Sequence, residues 1–234
     1  MSIKDKYSVV PINPKLCSEW LLHKHYAHRI PSIRYAFGLY DKEMILQGVC
    51  TYGLPVSNEL RETCGTKNRD LVFELNRLIK NDYLEKNTQS YFVSQTLKLL
   101  PRPLIIVSYS DPNNGHYGYT YQSLNFLYTG TGGDKVKCFF RDKEIHTRHI
   151  KDYWFKGYGF KYDNSKSIMD NFRYVGGVVQ EIEPKHRYFY FLGNKHQVRE
   201  MKSNLKYPIL PYPKGENKRY DASYQTTNQE TLFV

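Results

Sequence analysis

The sequence is short of several things, and each shortage excludes a class of protein. Its four cysteines, Cys17, Cys50, Cys64 and Cys138, have no C-x-x-C spacing. That argues against a disulfide framework and fits thiols kept reduced. No apolar run approaches the ~20 residues that cross a bilayer. The opening stretch MSIKDKYSVVPINPK carries no signal-like apolar core. The expectation is a soluble, cytoplasmic chain with no membrane partner. Internal repeats and low-complexity blocks are also lacking. Acidic residues are outnumbered, 23 against 34 Lys plus Arg. The imbalance is one-sided: residues 135–220 hold 19 basic and 9 acidic residues, residues 1–134 only 15 and 12.

Aromatic residues are plentiful. There are 22 tyrosines and 12 phenylalanines among 234 residues, enough chain for one large domain with a real core. Basic residues neutralise phosphates and aromatic rings stack on bases, so a basic half interleaved with Tyr and Phe suits nucleic acid. Charge alone leaves an ordinary basic soluble protein equally open.

The pattern predicts a mixed α/β (α+β) sheet flanked by helices. Asn13-Pro14 opens a short amphipathic helix bearing Leu16, Trp20, Leu21 and Tyr26. Residues 34–40 and 44–52 form a β-hairpin across Asp41-Lys42-Glu43, residues 57–69 a loop, and residues 71–79 a strand. A helix capped by Asn87 or Thr88 runs to about Leu100, where Pro101 and Pro103 stop it. Residues 104–109 read as a buried strand, Asp111 to Gly115 as a turn, and residues 117–128 as a second helix stopped by glycines. Residues 136–140 and 187–192 read as strands and 195–203 as a short helix. The expected organisation is a catalytic core over 1–145, a basic aromatic extension over 146–214 and a polar tail over 215–234.

The strand–helix–strand–helix order over residues 71–128 resembles the core of GNAT-type N-acyltransferases, in which two strands splay around the donor. More specifically, the chain resembles the phage Mom family of DNA adenine-modification proteins. The resemblance is carried by Ser108-Tyr-Ser-Asp111, Gly115-His-Tyr-Gly118, Tyr121-Gln122, Asn125 and Tyr128-Thr-Gly130. In the same order come His25-Tyr26, Gly48-Val-Cys-Thr-Tyr-Gly-Leu-Pro55, and Glu74-Leu-Asn-Arg77-Leu with Asn87 and Ser90. It implies transfer of a carbamoylmethyl group to the exocyclic amine of adenine in double-stranded DNA, protecting phage DNA from restriction. It also implies that Tyr26 and Asp111 are needed for activity. Beside Tyr26, His25 suits a proton relay, and equally a helix C-terminal histidine favourable to the dipole. Arg77, Ser90 and Tyr121 map to an acyl-CoA donor site, and iron enters by the same association. One departure stands out. The stretch Lys80-Asn-Asp-Tyr-Leu-Glu-Lys-Asn87 lacks the glycines that let backbone N–H groups approach a pyrophosphate. Either Arg77 and the helix start near Ser90 hold the donor differently, or the donor is not acyl-CoA.

The adenine amine is a weak nucleophile that needs positioning and a base. Asp111, at a strand's carboxyl edge, suits that role, although an Asp before Pro also commonly starts a turn. Tyr121 suits proton donation, and His116 lies beside two glycines. A carbamoylmethyl product bonds nitrogen to saturated carbon, so ordinary acyl transfer does not suffice. The metal question stays open: His23, His25, His28, His146 and His149 are candidate ligands, without an H-E-x-x-H spacing. A base in duplex DNA must be flipped out. The run 149–161 offers Trp154 for stacking, with Arg148, Lys151, Lys156, Lys161 and Arg173 for phosphates; Trp154 and Phe155 as core residues is the plainer reading. Two further functions compete: a GNAT-like transferase on a small amine or protein, and a DNA-binding protein with an inactive transferase fold.

Overall fold

The computed structural model describes residues 2–133 and 135–216. The chain opens with α1 (Ile3–Lys6) and β1 (Ser8–Pro11), then a 3-10 turn (Pro14–Cys17) capped by Asn13 and a π-turn (Trp20–Lys24). These two turns replace the single amphipathic helix expected there, and still bury Trp20 and Leu21. The hairpin follows as β2 (Tyr35–Tyr40) and β3 (Leu46–Gly53). The segment expected as a loop holds α2 (Asn58–Arg61), capped by Ser57, and a 3-10 turn (Thr66–Leu71). Next come β4 (Val72–Lys80), α3 (Thr88–Leu99), β5 (Leu104–Ser110), α4 (Tyr119–Ser123) and β6 (Leu127–Gly132).

The expected helix over 117–128 is therefore cut short: only Tyr119–Ser123 is helical, and Leu127 and Tyr128 already belong to β6. Asn125 adopts a left-handed φ of 60°, and the Phe126 N–H turns back to the Tyr121 carbonyl. That closes α4 after five residues. Leu127 and Tyr128 then pair with a distant strand, a tertiary contact that overrides local helical spacing.

The main sheet has seven strands in the order β1-β2-β3-β4-β5-β10-β6, where β10 is Lys185–Leu192. Every pairing is antiparallel except β4 with β5. Their parallel register runs from Val72↔Ile105 to Leu75↔Ser108 and stops, although β4 continues to Lys80. The strands splay from that point, as the acyltransferase-like reading requires. Phe73, Leu75, Ile106 and Tyr188 face α3, packing on Phe92, Val93 and Leu97. Val72, Ile105, Val107 and Phe189 line the opposite face with Leu60 and with Met201 of α7 (Lys195–Ser203).

Between β6 and β10 the chain builds a small module: β7 (Val136–Phe140), β8 (Lys143–Ile145), α5 (Asp152–Gly157), α6 (Ile168–Tyr174) and β9 (Val178–Glu181). It has its own sheet, β8-β7-β9, and its own core of Cys138, Phe140, Ile150, Trp154, Phe155 and Phe172. The expected boundary at 145 thus falls inside a module spanning about 136–181. The chain afterwards returns to the main sheet, because β10 supplies apolar side chains to the slot between β5 and β6. Most of the expected polar tail, from 217 onward, lies outside the described residues. Among the described residues no helix is long and apolar enough to cross a membrane.

Candidate active site

The splayed ends of β4 and β5 open onto a cavity of about 840 Å³, also lined by residues 24–26, the start of α3, and α4. At the apex, the Ser108 hydroxyl lies 2.9 Å from the Leu75 carbonyl and 2.8 Å from the Tyr121 hydroxyl. The carbonyl only accepts, so Ser108 donates to it and Tyr121 donates to Ser108. Tyr121 thus bridges the last paired residues of the two strands. Burial drives its phenol pKa well upward, which keeps the proton on.

Asp111 follows β5 directly, and its buried side chain lines the cavity. Oδ1 accepts from the Asn113 backbone N–H (3.0 Å) and side-chain amide (2.9 Å), while Oδ2 faces Lys185 Nζ at 3.4 Å. Asn113 is itself clamped to the backbone of Glu183 in both directions. One oxygen thus caps the turn, as an Asp before Pro commonly does, and the other is presented beside a cation.

His25 and Tyr26 stack with ring centroids 4.3 Å apart. His25 Nδ1 accepts the Ala27 N–H at 3.0 Å, and burial plus the Arg77 charge push its pKa down to about 3. The ring is neutral and cannot serve as a cationic relay at neutral pH. Burial raises Tyr26, and the nearby Asp111 charge adds to the rise. His116 also lines the cavity, its pKa lowered by burial against the pull of Asp111.

The three expected donor-site residues reach the cavity from different sides. A β-bulge at Asn76, where Thr51 pairs Arg77 and Tyr52 pairs Leu75, turns Arg77 onto the face opposite α3. Its guanidinium donates to the Asn76 carbonyl at 2.6 Å, while Nε has no partner. Ser90 donates to the Asn87 carbonyl at 2.9 Å, so its hydroxyl is occupied by the helix start. The first turn of α3 still offers backbone N–H groups that have no intrahelical acceptor, and Gln89 and Ser90 line the cavity. Asn87 holds a left-handed φ of 73°, a conformation that a glycine would otherwise supply and that Asn tolerates. With Lys80 and Lys86 on the same wall, these residues fit an anionic, phosphate-bearing donor without the glycine loop.

Three of the candidate histidines bond the backbone through Nδ1: His28 with the Leu22 carbonyl, His146 with the Arg148 N–H and His25 with the Ala27 N–H. Among the described residues no three His, Cys, Asp or Glu side chains converge as ligands.

Of the expected DNA contacts, Arg148, Lys151, Lys156, Lys161 and Arg173 are exposed on the module. Lys156 pairs with Asp152 and Arg173 with Asp170. Trp154 is a correction: it packs against Phe140 and Phe172 in the module core and is only 9% exposed, so it cannot stack on a base. The tyrosines left at the surface there are Tyr153, Tyr158 and Tyr174. Sequence reasoning missed Ser108 as the partner of Tyr121, and Lys185 and Asn113 as partners of Asp111. Lys185 lies 74 positions beyond Asp111 in the chain, and only strand pairing brings it near.

The model of the Mom protein family matches residues 6–214. The chain belongs to the Mom protein family. A relative from Escherichia phage Mu, methylcarbamoylase mom, is 26% identical over 200 residues, which are 82% of this chain and 77% of that protein. Among solved structures, an N-acetyltransferase from Staphylococcus aureus Mu50 overlaps 80% of this chain and 98% of its own, at 11% identity and a TM-score of 0.40. A protein from Acinetobacter baylyi ADP1 described as an acetyltransferase gives 80%, 93%, 10% and 0.45. The GNAT-like fold of this Mom-family chain rests on its own sheet order and splayed parallel pair rather than on these partial overlaps.

Proposed function

We propose that this Mom-family chain is a transferase that places a carbamoylmethyl group on the exocyclic amine of adenine in DNA. The observation that carries the reading is the family match over residues 6–214, joined to a cavity at the family's expected place with Asp111 buried at its edge. The methylcarbamoylase name of the phage Mu relative fits this chemistry. In the proposed step the adenine nitrogen forms a bond to the donor's saturated carbon, and the donor's leaving group departs with its electron pair. The amine proton passes to Asp111 Oδ2. Lys185, 3.4 Å away, holds that oxygen in place. Tyr121 keeps the splay point fixed, and Arg77 with the start of α3 binds the anionic part of the donor.

The action on DNA is supported by the exposed cations of the module. Arg148 lies close enough to β4 for its charge to act on Glu74. The test is expression in a bacterial host, digestion of its DNA to nucleosides and mass spectrometry. A new adenine species of carbamoylmethyl mass is expected, falling at least ~100-fold for a folded Asp111→Ala variant. Unmodified adenine with the wild-type chain overturns the proposal, and undiminished modification by Asp111→Ala overturns the role given to Asp111.

A further inference from the structure

We propose that Glu74 is the specificity-determining residue that accepts a hydrogen bond from the exocyclic amine of the acceptor base. This rests on the DNA-modification reading above and assigns the group that would read the base.

Glu74 pairs with Val107, one residue before the splay begins at Leu75↔Ser108. Phe73 and Leu75 point toward α3, so alternation sends Glu74 to the opposite face. The bulge at Asn76 delivers Arg77 to that same face. The Glu74 carboxylate is half-buried, and it has no hydrogen-bond or ion-pair partner among the described residues. Partial burial raises the carboxyl pKa against the opposing Arg77 charge, and its oxygens are left to accept from water or a ligand. Its surroundings are cationic but stand off: Arg77, Lys185, Arg148 and Arg29 all act on it through charge without closing an ion pair. Its own charge reaches Tyr121 at the cavity apex and Tyr109 on β5. Glu74 therefore sits at the margin of the cavity, on the face that carries the cavity-lining Arg77 and Tyr109 and one residue from the cavity-lining Leu75.

An ionised carboxylate only accepts hydrogen bonds. It is complementary to an exocyclic amine, such as the 6-amino group of adenine, and repels a carbonyl oxygen in the same place. Of these cations, Arg148 and Arg29 suit the phosphates on either side of an extruded base. Asp111, just after the neighbouring strand, is left to take the proton. The two carboxylates thus divide the work: Glu74 orients one N–H of the amine and Asp111 receives the other.

The test uses the full chain and G·C duplexes, fluorescently labelled, each carrying one unpaired test base: adenine, purine, which lacks the amine, or hypoxanthine, which carries a carbonyl instead. The wild-type chain is expected to bind the adenine probe roughly tenfold more tightly than the other two. Glu74→Ala should flatten that ranking. Glu74→Gln is close to isosteric, and its amide can donate to a carbonyl, so it should gain affinity for the hypoxanthine probe. A merely structural role would not produce that exchange of preference. Wild-type ranking retained by both variants, or no ranking by the wild-type chain, overturns the assignment. Nucleosides from the expression host keep the two proposals apart. Modified adenine with an unranked set of probes sinks Glu74 alone, and absence of modified adenine sinks the reaction while the probe ranking still decides Glu74.

Discussion

Replacing Gly118 by alanine isolates how firmly α4, and with it Tyr121, is held. Gly118 caps α4 at φ 76°, in the left-handed region that alanine adopts at a cost of roughly 1–2 kcal/mol. An alanine Cβ there would also lie 2.5 Å from Tyr188 Cε2 and 2.7 Å from its hydroxyl oxygen. Tyr188 cannot swing aside cheaply. It is fully buried, donates to the Tyr117 carbonyl at 2.6 Å, and packs against Tyr121 and Tyr128. Overpacking of that kind adds about 1–3 kcal/mol. Gly130→Ala is the control. Gly130 has a similar φ of 83°, but its Cβ would meet only Leu210 Cδ1 at 3.4 Å, an ordinary contact. Thermal unfolding followed by circular dichroism should show Gly118→Ala about 3 kcal/mol less stable than wild type, or ~6–12 °C lower in midpoint. Gly130→Ala should show roughly a third to a half of that. Equal midpoints for the two variants would refute the reasoning, because they would mean that the Tyr117–Tyr188–Tyr121 cluster yields to a methyl group.

Trp154→Ala removes the largest ring of the module core and should cost about 3–5 kcal/mol of local stability. Limited proteolysis should then cut within 136–181 while the main sheet survives; equal protection throughout would show that the module does not depend on this core. His25 is neutral when folded, with its pKa pushed from 6.5 down to about 3, so the unfolded chain binds the extra proton first. Stability should fall as pH drops from 6.5 toward 3, and His25→Gln should flatten that limb of a urea-midpoint profile; an unchanged limb would refute it. Arg148→Ala, Lys151→Ala and Lys161→Ala should each lower the salt slope of duplex binding by nearly ~1. Lys156→Ala and Arg173→Ala, already paired with Asp152 and Asp170, should lower it less, and the reverse ranking would sink the proposed footprint.

Much of the site was legible in the sequence because it is local. Asp111 follows an apolar strand and precedes a turn, and both facts are written in adjacent residues. The helix from Thr88 to Leu99 and its proline stop were equally readable, as was the strand at 136–140. The missing glycine loop was read correctly as a departure. What was not legible is that Asn87 takes the left-handed backbone itself, because one residue's φ is not set by composition. Arg77 was found as a site residue, but the bulge that chooses its face was not, since a one-residue register shift depends on the partner strand. The basic neighbours of Trp154 left stacking and core packing both open in the sequence. In the fold those neighbours point outward and the indole points in.

The sequence by itself determined that this chain is basic toward its second half, mixed α/β, and built around an Asp at a strand's end. Those properties follow from charge, periodicity and turn chemistry, each of which acts over a few residues. Only the tertiary structure decided that residues 127–132 are strand, and that residues 136–181 fold apart while β10 returns to the main sheet. It also set Lys185 beside Asp111 and left Glu74 without a partner at the splay. Each of these is a pairing across tens of residues. Such pairings are chosen by which apolar faces can be buried together, a property of the whole chain.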